Sequence, residues 1–111
     1  MEYKIERSKQ FRKEYNKLKI SGNKALLRKT DKVIENLKNK NFTSSMQTHQ
    51  LQGNMKGWWD AHVSGDYVII YKYNEANKIL ILNKLGTHET TNIESIDDYT
   101  DKEFIIIKEL Y

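Results

Sequence analysis

In the first forty positions, hydrophobic residues alternate with polar ones over one short stretch and then recur with the period of a helix. Residues 3–6 alternate apolar and polar, as a first strand does. Ser8 is a candidate helix N-cap, and the apolar positions after it fall at i, i+4 and i+7: Phe11, Tyr15 and Leu18. Beyond a break at residues 21–23, the helical spacing returns and continues to about Lys38. This half predicts a strand and an αα-hairpin.

The hydrophobic period changes to that of strands after a polar loop at residues 39–48. Residues 58–63 and 67–73 flank Ser64 and Gly65, which suit the two-residue turn of a hairpin. That turn pairs His62 with Tyr67, on one face of the sheet. Residues 78–85 are apolar on both faces, as in a central strand, and residues 86–88 read as a loop.

The order β-α-α-β-β-β predicts an α+β fold. Two N-terminal helices cover one face of a small antiparallel sheet, and residues 101–110 form a possible C-terminal helix, although their β-branched run also favours a strand. The length of 111 residues suits a single domain over residues 1–111. With no cysteine, no apolar run of membrane-spanning length and no secretory signal, we expect a cytoplasmic protein without a membrane partner.

Charge is distributed unevenly along the chain. Residues 1–40 carry 13 lysines and arginines against 5 acidic residues, whereas residues 41–111 carry 6 against 10. A basic half suits a polyanion such as nucleic acid, and a solvated lysine-rich face is the alternative. On the helices, the candidate RNA-binding residues are Lys13, Lys17 and Arg28.

All three histidines lie between residues 49 and 88. RNA cleavage without a metal needs a base for the 2′-hydroxyl, a cation for the phosphorane and an acid for the leaving oxygen. Histidine serves as base or acid, and Lys84 supplies a cation. The histidine spacings of 13 and 26 match no local zinc signature, so no metal or other cofactor is expected.

The same stretch resembles the RelE-type bacterial toxins, and among them the YafQ branch. The resemblance rests on His-x-Leu-x-Gly at 49–53, Lys-Gly-x-x-Asp-Ala-His-Val-x-x-Asp-aromatic at 56–67 and Gly-Thr-His at 86–88. It implies a RelE-like fold and catalytic roles for His49, His62, Asp66 and His88, with His88 as general acid and Tyr67 as a stacking aromatic. The division of the base role among His49, His62 and Asp66 stays open.

This chain departs from the resembled pattern at two positions. Lys84 stands where the family has an arginine, and Asn92 stands where it has an aromatic residue. A lysine keeps the positive charge but lacks the bidentate fork of arginine.

The resemblance implies a type II toxin that cleaves messenger RNA on the ribosome. Its partners would be an antitoxin, the ribosome and messenger RNA, with operator DNA bound only through the antitoxin complex. The alternatives are a non-enzymatic relative that binds gyrase and a toxin with decayed activity that retains antitoxin and operator binding.

Overall fold

The computed structural model describes residues 2–52 and 56–87. A first strand precedes two helices, and four strands follow a short 3₁₀ turn at Ser44–Met46. The elements are β1 (Lys4–Arg7), α1 (Lys9–Ile20), α2 (Lys24–Lys38), β2 (His49–Gln50), β3 (Trp59–Ser64), β4 (Tyr67–Asn74) and β5 (Ile79–Thr87). The strands form one sheet in the order β1-β5-β4-β3-β2.

Both helices begin at side-chain caps. Ser8 Oγ accepts a hydrogen bond from Phe11 N at 3.0 Å, which confirms the predicted cap of α1. Asn23 Oδ1 caps α2 by accepting from Leu26 N at 3.2 Å. The buried Ser8 hydroxyl also donates to the carbonyl oxygen of Asn83, so the start of α1 is tied to the central strand β5.

The helices cover one face of the sheet, as predicted. Their buried residues Phe11, Val33 and Leu37 pack on alternate residues of β3, β4 and β5. The sheet residues of this cluster are Ala61, Ile69, Tyr71, Leu80, Leu82 and Leu85. The α+β prediction is therefore confirmed, with one refinement: β1 pairs with β5 in parallel, so the sheet is not wholly antiparallel.

The predicted β3–β4 turn is wrong by one residue. The turn consists of Gly65 and Asp66, with Ser64 opposite Tyr67 and His62 opposite Val68. Gly65 has φ +56°, the backbone conformation that places glycine first in a tight hairpin turn. A register shift between His62 and Ser64 absorbs the extra residue, Val63.

Strand β5 is longer than predicted, because Gly86 and Thr87 continue it instead of forming a loop. Gly86 lies opposite Val68 and has φ +145°, and Thr87 lies opposite Tyr67. The predicted C-terminal helix and His88 fall outside the described residues. Neither α1 nor α2 has the length and apolar character needed to cross a membrane, and this holds for the described part of the chain.

Candidate active site

A row of side chains crosses the sheet on the face opposite the helices. His49 of β2 lies opposite Asp60 of β3, Asp60 opposite Ile70 of β4, and Ile70 opposite Lys84 of β5. Because directly opposite residues share a face, His49, Asp60 and Lys84 all project from the same side. The side chain of His62 projects from the same side, because His62 lies two residues after Asp60 in the same strand.

Asp60 stands between the two histidines. One carboxylate oxygen, Oδ1, lies 3.8 Å from His49 Nδ1 and 3.7 Å from His62 Nε2. The Asp60 side chain is fully buried, whereas 54% of the His49 side chain and 24% of the His62 side chain are exposed. The buried carboxylate therefore lies between the two partly exposed imidazoles.

The His62 ring is oriented by the turn that follows it. Its Nδ1 lies 3.3 Å from the carbonyl oxygen of Gly65. In the tautomer that donates a proton from Nδ1 to this carbonyl, Nε2 carries the lone pair and faces Asp60. His62 then has the arrangement of a general base, because a proton taken up on Nε2 lies beside the carboxylate.

His49 occupies the outer end of the row. Its Nδ1 lies 3.2 Å from the carbonyl oxygen of Gln47, and its ring centroid is 6.3 Å from that of His62. Strand β2 is only two residues long and forms the sheet edge, so it holds His49 beside Asp60 while leaving more than half of the ring accessible.

Lys84 supplies positive charge at the inner end of the row. It lies two strands from Asp60, and successive strands are about 4.8 Å apart, so their Cα atoms are separated by about 10 Å. Lys84 is 9% exposed, which is unusual for a lysine, because this side chain seldom loses contact with water without a compensating interaction.

Two sequence-predicted site residues are not part of this row. Asp66 is an exposed residue of the β3–β4 turn, and it lines a depression with residues of α2 that include Leu26 and Lys29. Tyr67 is half-buried and packs against the helix-covered core, on the opposite side from His62. Its burial raises the pKa of the hydroxyl, and the charge of Glu14 raises it further. The expected pairing of His62 with Tyr67 is wrong, because the bulge changes the register.

The candidate RNA-binding residues of the helices lie in solvent. Lys13, Lys17 and Arg28 are all exposed, and Lys17 forms an ion pair with Glu14 at 3.4 Å within α1. They belong to the helical layer, so they are separated from the His49–Lys84 row by the sheet.

Sequence reasoning missed Asp60, because it assigned the acidic role to Asp66. The signal was present in the spacing: Asp60 and His62 are two residues apart in a strand, so they share a face. The proximity of His49 was not predictable in the same way, because it depends on the register of a two-residue edge strand.

Comparisons with known proteins identify the family. A sequence model described as "Bacterial toxin of type II toxin-antitoxin system, YafQ" matches residues 3–92. The mRNA interferase toxin YafQ of Escherichia coli K12 is 48% identical over 40 residues, which are 36% of this chain and 41% of that protein. The matched stretch thus spans about two fifths of this curated relative.

Solved structures extend the similarity over most of the fold. The E. coli DinJ–YafQ complex superposes with a TM-score of 0.66 at 31% identity, over 79% of this chain and 96% of the other. A metal-bound toxin from Helicobacter pylori superposes with a TM-score of 0.71 at 28% identity, over 79% and 97% of the two chains. The family model covers well over half of the sequence, so this chain belongs to the YafQ family of bacterial type II toxins.

Proposed function

We propose that the protein is the toxin of a type II toxin–antitoxin pair and acts as an endoribonuclease on ribosome-bound messenger RNA. The observation that carries the proposal is the arrangement of His49, Asp60, His62 and Lys84 on one face of the sheet, opposite the helices. It provides two bases, a carboxylate that positions them and a cation, which is most of what metal-independent cleavage of RNA requires. The name of the E. coli relative, an mRNA interferase toxin, supports the same reaction.

In the proposed reaction, an imidazole removes the proton of the ribose 2′-hydroxyl. The oxygen then attacks the adjacent phosphorus, and the bond to the 5′-oxygen breaks, leaving a 2′,3′-cyclic phosphate. The geometry favours His62 or His49 over Asp66 as the base, because the two imidazoles lie together beside Asp60 and Asp66 lies in the turn. Lys84 stabilises the charge on the phosphorane, and His88 protonates the leaving oxygen.

The proposed partners follow from the family. A related complex, DinJ–YafQ, joins a toxin of this family to a second protein, which supports an antitoxin as the partner here. The ribosome and messenger RNA are the proposed substrates, and operator DNA would be bound only through the antitoxin complex. The protein would act in the cytoplasm, where these partners are.

The chemistry is tested by replacing the nucleotide at the cut site. Ribosomes programmed with message that lacks the single 2′-hydroxyl at the cut site should not be cleaved, whereas the all-ribose message should yield a 2′,3′-cyclic phosphate end. Cleavage of the 2′-deoxy message at an undiminished rate would contradict 2′-hydroxyl attack. If neither message is cut while induction still arrests growth, the protein is a toxin that acts by binding.

The assignment of the acid is tested with His88→Ala. Loss of a general acid typically lowers the rate by about 10²–10⁴, so induction of the variant should no longer arrest growth. The control is an unchanged far-ultraviolet circular dichroism spectrum and melting temperature. A folded His88→Ala protein that remains fully toxic would remove His88 from the reaction.

A further inference from the structure

We infer that an aromatic cleft beside the candidate active site binds an unstacked nucleobase of the messenger RNA, with Trp59 and Phe42 as its stacking surfaces. The cleft has a volume of about 510 Å³, and four aromatic residues contribute to its lining: Phe42, Trp59, Tyr71 and Tyr73. This volume lies within the range of about 300–1,000 Å³ that is usual for small-ligand sites. The assignment of the base to the message rests on the proposed function, whereas base binding itself does not depend on cleavage.

The cleft is built on the helix side of the sheet, at the end where α2 stops. Trp59 begins β3 and lies opposite Tyr71 of β4, so both rings project from that side. Phe42, in the loop after α2, packs edge-on against Tyr73, with ring centroids 6.5 Å apart and an interplanar angle of 80°. Tyr73 is fixed in turn, because its hydroxyl donates to the carbonyl oxygen of Leu37 at 2.5 Å. The aromatic lining is therefore held in place by the fold itself.

Two of these aromatic side chains are accessible to a ligand. Trp59 is 38% exposed and Phe42 is 48% exposed, whereas Tyr71 is buried and Tyr73 is half-buried. Exposed apolar side chains that share one surface depression, instead of being scattered singly, mark a binding site. Flat exposed rings suit a nucleobase, because every base has a π face that stacks on an aromatic side chain.

The charges around the cleft suit the phosphates that accompany a base. Lys40 and Glu75 both line the cleft and neutralise each other, with Nζ and Oε2 2.5 Å apart. Lys72 lines it as well and adds positive charge, with its Nζ 4.4 Å from the centroid of the Trp58 ring. Aromatic rings beside a cation are the combination by which proteins hold single-stranded nucleic acid. The net positive charge therefore favours a nucleic-acid strand over an uncharged apolar segment of a protein.

The cleft adjoins the His49–Lys84 row at the edge of the sheet. Thr48 and Trp59 line the cleft, and the residues that follow them, His49 and Asp60, belong to the row. Successive residues of a strand project to opposite faces, so the cleft and the row lie back to back. Strand β2 is the last strand of the described sheet and only two residues long, so a single RNA strand has a short path around it. The base in the cleft therefore belongs to a nucleotide close to the cut site.

Base binding is tested with a labelled single-stranded RNA of mixed sequence whose 2′-oxygens are methylated, so that 2′-hydroxyl attack cannot cleave it. Its affinity for the full chain is measured by fluorescence anisotropy. Trp59→Ala and Phe42→Ala should each weaken binding by roughly 5- to 150-fold, the range for loss of one base–aromatic stack. Ile20→Ala is the matched control, because Ile20 is an exposed hydrophobic residue at the end of α1, outside the cleft, and its removal should change nothing.

Tryptophan fluorescence gives a second measurement of stacking. The chain has two tryptophans, and Trp58 is buried, so a base that stacks in the cleft should quench Trp59. Quenching by the RNA should persist in Trp58→Phe and disappear in Trp59→Phe. Folding is checked by the melting temperature, which should not change on truncation of the exposed Trp59 or Phe42 side chains.

The position of the base is tested in single-turnover cleavage of ribosome-bound message at subsaturating protein. Messages carry one abasic nucleotide, placed in turn at each position around the cut site. The wild type should be slowed most at one position, and Trp59→Ala should not be slowed further by that same abasic nucleotide, because both changes remove one contact. Additive losses at every position would overturn the assignment of the base to the message.

Two results would overturn the cleft as a base-binding site. One is equal RNA affinity in the wild type and a folded Trp59→Ala variant. The other is unchanged RNA affinity with an altered oligomeric state in sedimentation, which would assign the cleft to contact between copies of the chain. If the wild type cleaves no message, the proposed function fails, and the anisotropy and quenching measurements still decide whether the cleft binds a base.

Discussion

Asp60 is the residue whose position is hardest to explain by folding alone. Burying an ionised carboxylate costs several kcal/mol, about the size of the whole stability margin of a small domain, unless nearby cations and donors compensate. Here the carboxylate lies between two imidazoles in a fully buried position. A buried carboxylate between two partly exposed imidazoles is typical of a functional site.

Lys84 is one of the two positions, with Asn92, at which this chain departs from the pattern that the resemblance to RelE-type toxins implies. A lysine donates to one phosphorane oxygen as a point charge, whereas an arginine bridges two. Losing one positioned donor typically lowers the rate by about 10²–10³, so Lys84→Ala should reduce the single-turnover rate by that factor. Lys84→Arg should hold or raise the rate, and the measurement is cleavage of ribosome-bound message under enzyme excess.

The matched control for Lys84 is Lys78→Ala. Lys78 is an exposed lysine at the turn before β5, beside Glu75 at 3.9 Å, and it lies outside the row of site residues. Its removal should leave cleavage unchanged. A Lys84→Ala protein that cleaves as fast as Lys78→Ala would place Lys84 outside the reaction and assign the phosphorane charge to another cation.

At the scale of elements, the sequence predicts the helices better than the details of the hairpin. The stripes of α1 and α2 and the Ser8 cap are local signals, read from side chains within one or two turns. The β3–β4 turn was misplaced because Ser64-Gly65 and Gly65-Asp66 are both plausible turn pairs. A bulge at Val63 decides between them, and it depends on the contacts of the whole sheet.

The candidate site follows the same division between local and long-range information. Residue type and motif predict His62 and Lys84, and both lie on the face of the sheet opposite the helices. Tyr67 lies on the opposite face of the sheet from the one predicted, because a one-residue shift in register moves a side chain to the other face. The contact between His49 and Asp60 joins two strands across a loop, so no local pattern contains it.

The basic helical hairpin carries a prediction of its own. Lys13, Lys17 and Arg28 are exposed, and each contact with a ribosomal phosphate contributes about 0.7–0.9 to the salt slope of binding. Replacing all three with glutamine should weaken binding to ribosomes and flatten the slope by roughly two units. The measurement is the dissociation constant as a function of potassium concentration.

A second triple variant separates nucleic-acid contact from general charge. Lys40, Lys56 and Lys78 are also exposed but lie outside the two helices, and replacing them with glutamine changes the net charge equally. Only the Lys13, Lys17 and Arg28 variant should lose the salt slope. Equal losses in both variants would indicate long-range attraction, and no loss in either would show that the hairpin is a solvated face.

At the scale of the whole molecule, one face of the sheet forms the main core and the other carries the candidate site. The helical side holds the larger core, and tyrosines tie its elements together: Tyr15 Oη donates to Asp31 in α2 at 2.5 Å, and Tyr73 Oη donates to the carbonyl oxygen of Leu37 at 2.5 Å. The other side presents His49, His62 and Lys84. The core can therefore be altered at Tyr15 or Tyr73 without replacing a residue that the charge of Asp60 reaches, whereas Tyr71 is influenced by that charge.

These tyrosines make the folded protein less stable as the pH rises through the alkaline range. Burial raises the pKa of Tyr15 to about 12, and its hydrogen bond to Asp31 adds to the shift. Burial likewise raises the pKa of Tyr71 to about 12, with the charge of Asp60 as the second cause. The pKa of Tyr73 is raised still further, again mainly by burial.

The sign of the effect follows from which state loses protons first. In the unfolded chain these tyrosines titrate near their ordinary value of 10.0, whereas in the folded protein Tyr15 and Tyr71 keep their protons to about 12. Between these pH values the unfolded state binds fewer protons, so the free energy of unfolding falls as pH rises. The contribution of Tyr15 and Tyr71 to stability is fully present below pH 10.0. It is lost as the pH rises through their pKa of about 12 in the folded protein.

Urea unfolding across this interval measures the effect, with tyrosinate absorbance recorded on the same samples. Lysines titrate in the same range, so the decisive comparison is between wild type and Tyr71→Phe, which differ by one hydroxyl. The variant should lose less stability than the wild type between pH 10.0 and pH 12, because one proton-linked group is gone. Parallel curves for the two proteins would show that Tyr71 titrates alike in the folded and unfolded states. The loss of stability at alkaline pH would then be due to the lysines, whose deprotonation changes the charge of the whole surface and not of the core.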